Sequence, residues 1–415
     1  MKEFKVFVAL ASYRDPQLPI TITDMLEKAD NPDLFNFGIC WQYDETEDIT
    51  QYDDRPHFRT SKHHYSQSQG LGWARNITFE LYQDESLILQ LDSHHRFVKG
   101  WDTMMLEDFY QAKDLCRKPV LTTYLTPFEH ENERLDPTPC LMSQYEFSSD
   151  KLLMSRPWYI GDHAERSKVI RSRTLSGHFL LAEGRFVREV PYDPDIYFGG
   201  YTEETTMSAR AFTHGYDCYS PYRQYIWHEY SRNGRPKHWE DHGTESETKL
   251  TSGDRDVYAR KKTRQLFGQD DSGIDLGKHG LGNVRTLRDY EVFGGFDFQR
   301  CRIHASTLKC TEPPNNPDWE AGFISTKYTL PIEWDAEFFK KLDFKKPQFL
   351  TMGIQNESSA ELHRKDFTLA ENPGYVNLTR NNYVATFHAE TRPHKIVMYL
   401  FDEDQQWSPV YEKRL

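Results

Sequence analysis

The chain has 415 residues, carries a formal net charge of −13, and is 37% hydrophobic and 14% aromatic. This length fits one large domain with a smaller one, and the hydrophobic content supports packed cores, which argues against a disordered chain. Acidic and basic residues are mixed along the chain, so an extended nucleic-acid-binding surface is disfavoured, although a local basic pocket for a phosphate remains compatible with the charge.

Strands and helices alternate in the first part of the chain. Apolar runs rich in β-branched and aromatic residues predict strands over 4–15, 34–44, 86–94 and 119–128. Helical spacing of apolar residues predicts helices over 18–31, 72–84 and 101–115. The inward face expected for the first of these helices consists of Ile20, Thr23, Met25, Leu26 and Ala29. This alternation indicates right-handed βαβ units and a parallel sheet that helices cover on both faces.

The middle of the chain is less regular. The run 175–194 predicts a strand, a turn at Glu183-Gly184 and a second short strand, and 202–215 predicts a helix that stops at Gly215. The strand-like run 216–232 contains His228, and 255–267 is a basic helical stretch.

A linker is predicted at "TEPPNNPDW", residues 311–319, because its prolines and asparagines do not fit regular structure. The segments that follow it are strand-like, at 323–334, 348–355, 383–390 and 394–404. We therefore expect an α/β domain over residues 1–305 and a small β-rich, sandwich-like accessory domain over residues 306–415.

The compartment is predicted from two features. The six cysteines are scattered without a CxxC pair, which is typical of reduced thiols and not of a disulfide framework. The first residues, "MKEFKVFVALASYRD", lack the apolar core of a signal peptide, and no segment approaches the about 20 apolar residues of a membrane helix. The expectation is a soluble cytoplasmic protein.

Polar clusters follow three of the predicted strands. They are Ser12-Tyr13-Arg14-Asp15, Gln42-Tyr43-Asp44-Glu45 and Asp92-Ser93-His94-His95. Ligands of open parallel sheets bind beyond the carboxyl ends of the strands, so these clusters predict a binding site at that edge.

Asp92 and His94 together suggest a metal site. Residues two apart at a strand end point to the same side, so a carboxylate oxygen and an imidazole nitrogen can converge on one cation. That pair of ligands suits Mn²⁺ better than Mg²⁺. His228 in "YIWHEYSR" is the proposed third ligand, because it also ends an apolar run. The alternatives are a solvated loop for Asp92 and His94 and a partly buried structural histidine for His228.

At these residues the sequence resembles polypeptide N-acetylglucosaminyltransferases of the kind that modify hydroxyproline, glycosyltransferase family sixty, which are related to the mucin-type polypeptide GalNAc-transferases. The similarity covers residues 4 to 300 and leaves out the C-terminal part. The motifs that carry it are "ASYRDPQL", "GLGWARN", "LQLDSHHRFVKGWD", "EVPYDPDIYFGGYTEETTMSARAFTHGYD", "IWHEYSR" and "GLGNVRTLRDYEVFGGFDF".

The resemblance implies a GT-A (Rossmann-like) fold, a UDP-sugar donor, most readily UDP-GlcNAc, a divalent metal ion and retention of anomeric configuration. The metal motif of the family corresponds to Asp92 and His94, with His228 as the later ligand. Relatives have an aromatic-Gly-Glu-Glu sequence where this chain has "YFGGYTEE" with extra residues. We take Glu204 as the acceptor-site or donor-site glutamate, and Glu203 as a charge favoured at a helix N-terminus.

The other donor-site candidates have ordinary structural alternatives. Arg75, assigned with Glu204 to catalysis, is expected to reach the donor sugar or phosphates. Arg14 is expected to contact the nucleotide, or else to pair with Asp15 or Glu45. Asp44 is expected at the uracil or ribose, or else to cap a turn. The remaining donor-site candidates are Ser12, Tyr13, Gly70, Ser93, Gly177 with the neighbouring His178, and Arg232 with the neighbouring Arg235.

Three functions are weighed. The first is a metal-dependent retaining glycosyltransferase that acts on a hydroxyl of a protein or glycan. The second is a metal-dependent hydrolase, and the third is a non-catalytic carbohydrate-binding protein that uses its C-terminal domain. The polar strand ends and the intact set of metal candidates favour the first. The donor among UDP-GlcNAc, UDP-GalNAc, UDP-Glc and UDP-Gal, the acceptor and a possible homo-oligomer are left open.

Overall fold

The computed structural model divides the chain into two units. It describes residues 3–48, 50–128, 136–148, 150–162, 165–197, 201–231, 235–244, 250–314, 323, 326–341, 346–368, 382–389, 391–404 and 406–415. Unit 1 comprises Met1–Cys301 and Ser306–Pro317, and unit 2 comprises Arg302–Ala305 and Asp318–Leu415. The boundary at Pro317 falls inside the segment in which the sequence predicts a linker.

Strands and helices are interspersed in the described residues as far as residue 308. The strands are β1 (Val6–Tyr13), β2 (Phe35–Tyr43), β3 (Phe58–His64), β4 (Leu87–Asp92), β5 (His95–Phe97), β6 (Pro119–Thr122), β7 (Cys140–Phe147), β8 (Leu153–Tyr159), β9 (Ile170–Ser172), β10 (Phe179–Glu183), β11 (Asp217–Ser220), β12 (Ile226–His228), β13 (Phe296–Asp297) and β14 (Arg302–Ile303). The helices are α1 (Gln17–Lys28), α2 (Leu71–Glu80), α3 (Trp101–Leu115), α4 (Phe186–Glu189), α5 (Tyr201–Thr213), α6 (His238–Asp241), α7 (Ser252–Leu266), α8 (Leu287–Gly294) and α9 (Ala305–Leu308).

The main sheet of unit 1 has eight strands in the order β3-β2-β1-β4-β10-β6-β11-β9. The first four are mutually parallel, whereas β10 runs antiparallel to both β4 and β6. Alternate residues of β1 enter different cores: Val6, Val8 and Leu10 pack in one apolar cluster, and Phe7 and Ala9 in another. The sheet is therefore covered on both faces, and the predicted α/β, mostly parallel architecture is confirmed.

Several sequence-based elements need correction. The second strand predicted after Glu183-Gly184 is wrong, because residues 186–189 form the short helix α4. Strand β3 was not predicted, since its residues are all half-buried and lack an apolar run. In α1 the buried residues are Leu18, Thr21, Ile22 and Met25, and Ile20 is 46% exposed. The other three buried residues follow Leu18 by three, four and seven positions. They form a buried stripe on a different face of the helix from the predicted one.

The sheet directions place several chain segments at one edge. The carboxyl ends of β1, β2, β4 and β6 meet there, and the antiparallel β10 begins there. The small strands β5 and β12 pair antiparallel just beyond this edge, with His228 opposite His95. The chain thus brings residues near 12, 92, 177 and 228 to one place.

Unit 2 is rich in β-structure, as predicted. Its strands and helix are β15 (Thr326–Glu333), α10 (Ala336–Lys340), β16 (Pro347–Gln355), β17 (Glu361–Thr368), β18 (Asn382–Ala389), β19 (Lys395–Asp402), β20 (Gln406–Trp407) and β21 (Tyr411–Arg414). Strands β15 and β18 form one antiparallel pair, and β17-β16-β19 form the centre of a five-stranded sheet with β20 and β21. Both sheets contribute to one core that includes Ile332, Leu350, Phe387 and Met398.

The helices of the described residues are too short or too polar to cross a membrane.

Candidate functional site

Asp92, His94 and His228 come together at the carboxyl edge of the sheet. Asp92 ends β4, His94 lies in the turn between β4 and β5, and His228 ends β12. One ligand atom from each lies within 4.8 Å of the others. The Nε2 atoms of His228 and His94 lie 3.2 and 3.9 Å from Oδ2 of Asp92. These are the three residues that the sequence places at a metal ion.

The surroundings of His94 leave one ring nitrogen without a partner. Nδ1 lies 2.7 Å from Oδ2 of Asp15, and because a carboxylate only accepts, this contact assigns the imidazole proton to Nδ1. Nε2 is buried and has no hydrogen-bond partner among the described residues. A histidine that binds a metal ion through one ring nitrogen usually donates the N–H of its other ring nitrogen to a carboxylate. His94 has this arrangement with Asp15, so the site fits a cation.

The protonation states also suit a metal ion. Burial raises the pKa of Asp92, but Arg75, His228 and His94 outweigh burial and hold that pKa well below its usual value. Burial, reinforced by His178, holds the pKa of His228 well below its usual value, although contact with Asp92 acts in the opposite direction. An ionised carboxylate beside a neutral imidazole is the form that binds a divalent cation.

Arg75 lies behind Asp92 and is almost fully buried. Its Nη2 donates to Oδ1 of Asp92 at 2.7 Å, and its Nη1 donates to Oε1 of Glu203 at 2.5 Å and also to the carbonyl of Gly177. Only 3% of the side chain is exposed. The guanidinium therefore orients Asp92 and Glu203 in this structure, and the predicted contact of Arg75 with donor phosphates stays a prediction.

Glu203 and Glu204, at the start of α5, differ in their partners. Glu203 is buried against Arg75 and the Tyr192 hydroxyl, so it is more than a charge at a helix N-terminus, as the sequence had suggested. Glu204 accepts from the Tyr124 hydroxyl at 2.5 Å and from the Gly177 N–H at 3.1 Å. Burial raises the pKa of Glu204 to about 8, so this carboxyl is protonated at neutral pH.

Glu204→Gln should flatten the pH dependence of stability. Between the unfolded pKa of about 4.3 and the folded value of about 8, the folded protein holds a proton that the unfolded chain lacks, so wild-type stability falls as pH rises. The variant lacks this carboxyl. Its free energy of unfolding should therefore rise relative to that of the wild type by about 1 kcal/mol per pH unit from pH 5 to pH 8. Urea unfolding in EDTA measures the difference, with Glu27→Gln, at an exposed position of α1, as the control. Parallel profiles for Glu204→Gln and wild type would contradict the assignment.

Two cavities open on either side of Asp92. The first, which we call the strand-end cavity, is lined by residues that include Tyr13, Gly70, Ser93, His94 and Arg235. The second, which we call the glutamate cavity, is lined by residues that include Arg75, Gly177, Glu203, Glu204 and His228. Leu71, Asp92 and Trp239 border both cavities. The metal candidates therefore lie at the junction of a polar cleft and a cleft rich in carboxyl groups.

The residues after β1 are held by partners remote in sequence. The Tyr13 hydroxyl donates to Asp241 at 2.6 Å. Arg14 has a positive φ of 45° and donates to Asp44 and Asp241, each at 2.9 Å, instead of pairing with Asp15 or Glu45. Asp44 is thus bound to Arg14, and neither residue borders the two cavities. Their predicted contacts with the nucleotide stay predictions.

Some of the other predicted donor-site residues line the strand-end cavity and others do not. Ser12 is fully buried and does not line the strand-end cavity. Ser93 lines that cavity and donates to Asp15 at 2.6 Å. Gly70 has φ of 107°, and an added Cβ would lie 2.6 Å from the Tyr197 ring, so only glycine fits there. Arg232 lies outside the described residues.

Gly177 and His178 border the glutamate cavity. A Cβ on Gly177 would lie 2.8 Å from the Glu203 carboxylate and 2.9 Å from Nη1 of Arg75, so the ion pair requires a residue without a side chain. His178 stacks on His228 with ring centroids 4.4 Å apart, and its Nε2 accepts from the Leu125 N–H at 3.1 Å. Burial lowers the pKa of His178 to about 4, so this ring is neutral.

Sequence reasoning missed two residues that position the site, Asp15 and His95. Asp15 holds His94 and also accepts from Arg235 at 2.6 Å. His95 is fully buried and joins the two ligand-bearing segments: its Nε2 accepts from the Asp92 N–H at 3.1 Å, and its Nδ1 donates to the Trp227 carbonyl at 2.9 Å. The only available signal was their place in the polar strand-end clusters.

Comparisons with known proteins add a family and a set of solved structures. Residues 5–57 and 50–300 match the sequence profile of the family described as Glycosyltransferase (GlcNAc). No curated protein matches the chain. S. aureus TarS 1–349 is similar in structure with TM-score 0.35 and 16% identity, over 55% of this chain and 60% of TarS.

Two further structures were solved with nucleotides. TarS 1–349 in complex with UDP-GlcNAc has TM-score 0.36 and 15% identity, over 64% of this chain and 73% of that one. GalNAc-T7 with UDP, GalNAc and Mn²⁺ has TM-score 0.42 and 12% identity, over 69% of this chain and 54% of that one. The chain therefore spans less than two thirds of TarS 1–349 in the first comparison and of GalNAc-T7.

Proposed function

The chain belongs to the glycosyltransferase (GlcNAc) family, and from that premise we propose that it transfers a sugar, most readily GlcNAc, from a UDP-sugar to a hydroxyl group of a protein or glycan. We further propose that Asp92, His94 and His228 hold a divalent metal ion, with Mn²⁺ preferred over Mg²⁺, and that the transfer retains the anomeric configuration. Hydroxyproline, which the sequence resemblance suggests, is one acceptor to test.

The observation that carries the proposal is the orientation of His94, which leaves its Nε2 atom available to a metal ion. In the part of the chain that the structure describes, its Nε2 is buried without a hydrogen-bond partner, its Nδ1 contacts Asp15, and Asp92 and His228 lie within reach of the same point. When bound, a divalent ion at this point supplies a Lewis acid that neutralises the charge of a leaving diphosphate. One carboxylate, that of Asp92, and two imidazoles, those of His94 and His228, would hold it.

The strand-end cavity suits the nucleotide diphosphate. Arg235 borders it, and its two Nη groups donate to Asp15 at 2.6 Å and to Glu229 at 2.8 Å. The metal ion proposed beside this cavity would favour an anion there, and Gly70 allows the backbone to approach a phosphate closely.

The glutamate cavity suits the transferred sugar and the acceptor hydroxyl. Glu203 is committed to Arg75, and Glu204 is protonated at neutral pH, so neither presents a free carboxylate nucleophile. This supports retention by attack from the face that UDP leaves, with Glu204 orienting a hydroxyl group as a hydrogen-bond partner. A hydrolase would instead need an ionised base beside the metal ion.

The test is calorimetric titration of UDP into the wild-type protein, with Mn²⁺ and with EDTA, followed by assays of UDP release from UDP-GlcNAc, UDP-GalNAc, UDP-Glc and UDP-Gal. We expect UDP binding that requires Mn²⁺ and fastest release from UDP-GlcNAc. A folded protein that binds no UDP under either condition would contradict the proposed donor, and UDP binding unaffected by EDTA would contradict the proposed metal.

A further inference from the structure

The five-stranded sheet of unit 2 has two faces of different character. Along β19, Ile396, Met398 and Leu400 are fully buried in the core of the unit. The alternate residues Tyr399 and Phe401 point to the opposite side, because successive strand residues face opposite ways. We call this opposite side the outer face of unit 2.

Four aromatic residues cluster on the outer face. Trp407 lies opposite Phe401 on neighbouring strands, and the ring centroids of Phe401, Tyr399 and Phe349 lie 4.9, 5.1 and 5.5 Å from that of Trp407. The side chain of Trp407 is 50% exposed, and the other three rings are half-buried. The three supporting rings therefore hold a large indole at the surface without covering it.

Polar groups lie beside these rings on the outer face, and we call the aromatic cluster and these polar groups together the strip. Thr351 of β16 lies opposite both Tyr399 and Asp366, so these residues share the outer face. The Thr351 hydroxyl donates to Oδ1 of Asp366 at 2.7 Å, and Nε of Arg364 donates to the same carboxylate at 3.2 and 3.3 Å. About half of the Asp366 and Arg364 side chains is exposed, so a carboxylate and a guanidinium border the aromatic cluster.

We propose that the outer face of unit 2 binds a neutral oligosaccharide, with one sugar ring stacked on Trp407 and the hydroxyl groups of a sugar further along the oligosaccharide directed to Asp366 and Arg364, three strands away. The face of an aromatic ring carries partial negative charge, which attracts the weakly positive C–H groups on the flat side of a pyranose. A carboxylate accepts from sugar hydroxyls and a guanidinium donates to them, so the strip matches both parts of a sugar. This site goes beyond the proposed transfer, because all of its residues belong to unit 2.

Charged pairs around the strip disfavour a protein partner such as a second copy of the chain. Arg364 with Asp366, Lys395 with Glu412, and Lys346 with Asp404 form ion pairs at N–O distances of 3.2 Å. A broad interface centred on Trp407 would have to desolvate these pairs, and the cores of protein interfaces are depleted in charge. A single sugar chain covers the rings, offers its hydroxyl groups to Arg364 and Asp366, and leaves the other two pairs in water.

Calorimetry on the full chain tests the site, with chitotriose, cellotriose and maltotriose as probes and EDTA present so that the proposed metal-dependent site is inactive. The wild type should bind at least one probe, and Trp407→Ala should weaken that binding about tenfold or more, because truncating a central aromatic contact has effects of this size. Trp407→Phe should retain part of the affinity. The matched control is Trp158→Ala, which removes a tryptophan on β8 of unit 1 that is 41% exposed and should leave the affinity unchanged.

The proposal is overturned if the folded wild type binds none of the three probes, or if a folded Trp407→Ala protein binds as well as the wild type. It is also overturned if light scattering shows a wild-type dimer that Trp407→Ala separates, since a second copy would then occupy the face. Thermal unfolding of each variant shows whether it folds, and Trp407→Phe decides the question if the alanine variant does not. The outcome is separate from that of the proposed transfer, which UDP release by the wild type reports.

Discussion

Replacing His94 with alanine is expected to abolish Mn²⁺-dependent UDP binding and leave the fold intact. The change removes the buried Nε2, which has no hydrogen-bond partner among the described residues, and the Nδ1 contact with Asp15. Asp15 keeps the hydrogen bonds that Ser93 and Arg235 donate to it, so the main loss is a metal ligand. Removing a supporting residue of a metal ligand weakens metal binding about 10- to 100-fold, and losing the ligand itself should exceed about 100-fold. Calorimetry of Mn²⁺ and then of UDP measures both affinities.

The matched control is His57→Ala. His57 is exposed and precedes β3, at the amino edge of the sheet, so its loss should leave both affinities unchanged. The ligand assignment would be wrong if His94→Ala bound Mn²⁺ as tightly as the wild type. Loss of metal binding with full retention of UDP binding would show instead that the nucleotide site does not depend on the metal ion.

Arg75→Met is expected to destabilise unit 1 strongly. Burial lowers the pKa of this guanidinium, but Glu203, Tyr192 and Asp92 outweigh burial and raise it above the usual value. Removing the guanidinium leaves the buried carboxylates of Asp92 and Glu203 without this positive charge. Breaking a buried ion pair in this way lowers the free energy of unfolding by about 3–5 kcal/mol. Urea unfolding in EDTA measures the free energy of unfolding.

The same variant should have a distinctive pH dependence. In the wild type the depressed pKa of Asp92 contributes stability at neutral pH that is lost only as pH falls through the folded pKa. In Arg75→Met, burial should raise the pKa of Asp92 and the pKa of Glu203 above their values in the unfolded chain. The folded variant then binds more protons than the unfolded chain. Its stability therefore falls as pH rises, and the deficit relative to the wild type should be larger at pH 8 than at pH 5.

Arg300→Met provides the matched control. The Arg300 side chain is 72% exposed, and its Nη1 lies 3.3 Å from the buried Asp297. Asp297 keeps the hydrogen bond from the Arg300 N–H when this side chain is replaced, so losing the exposed guanidinium should change stability by about 0–1 kcal/mol. We expect a small change that does not grow with pH. An Arg75→Met protein as stable as Arg300→Met at pH 8 would show that Asp92 and Glu203 do not depend on the guanidinium.

The ends of the strands could be predicted because their signals are local. An apolar run that stops at Asp92 marks a strand end, and the two-residue period places His94 on the same side. His228 was accessible by the same argument. The face of α1 that packs inward was mispredicted at Ile20, because several apolar patterns fit a short helix and only the packed sheet selects one.

The sequence by itself determined the α/β order of unit 1, the β-rich character of unit 2 and the three residues that converge at the sheet edge, since each follows from patterns within about ten residues. Only the tertiary structure decided which partners those residues have. Asp15 holds His94 from 79 residues away, and Arg75 holds Glu203 across 128 residues. Such contacts depend on how the strands are ordered and on which polar groups are buried together, and no local periodicity encodes either.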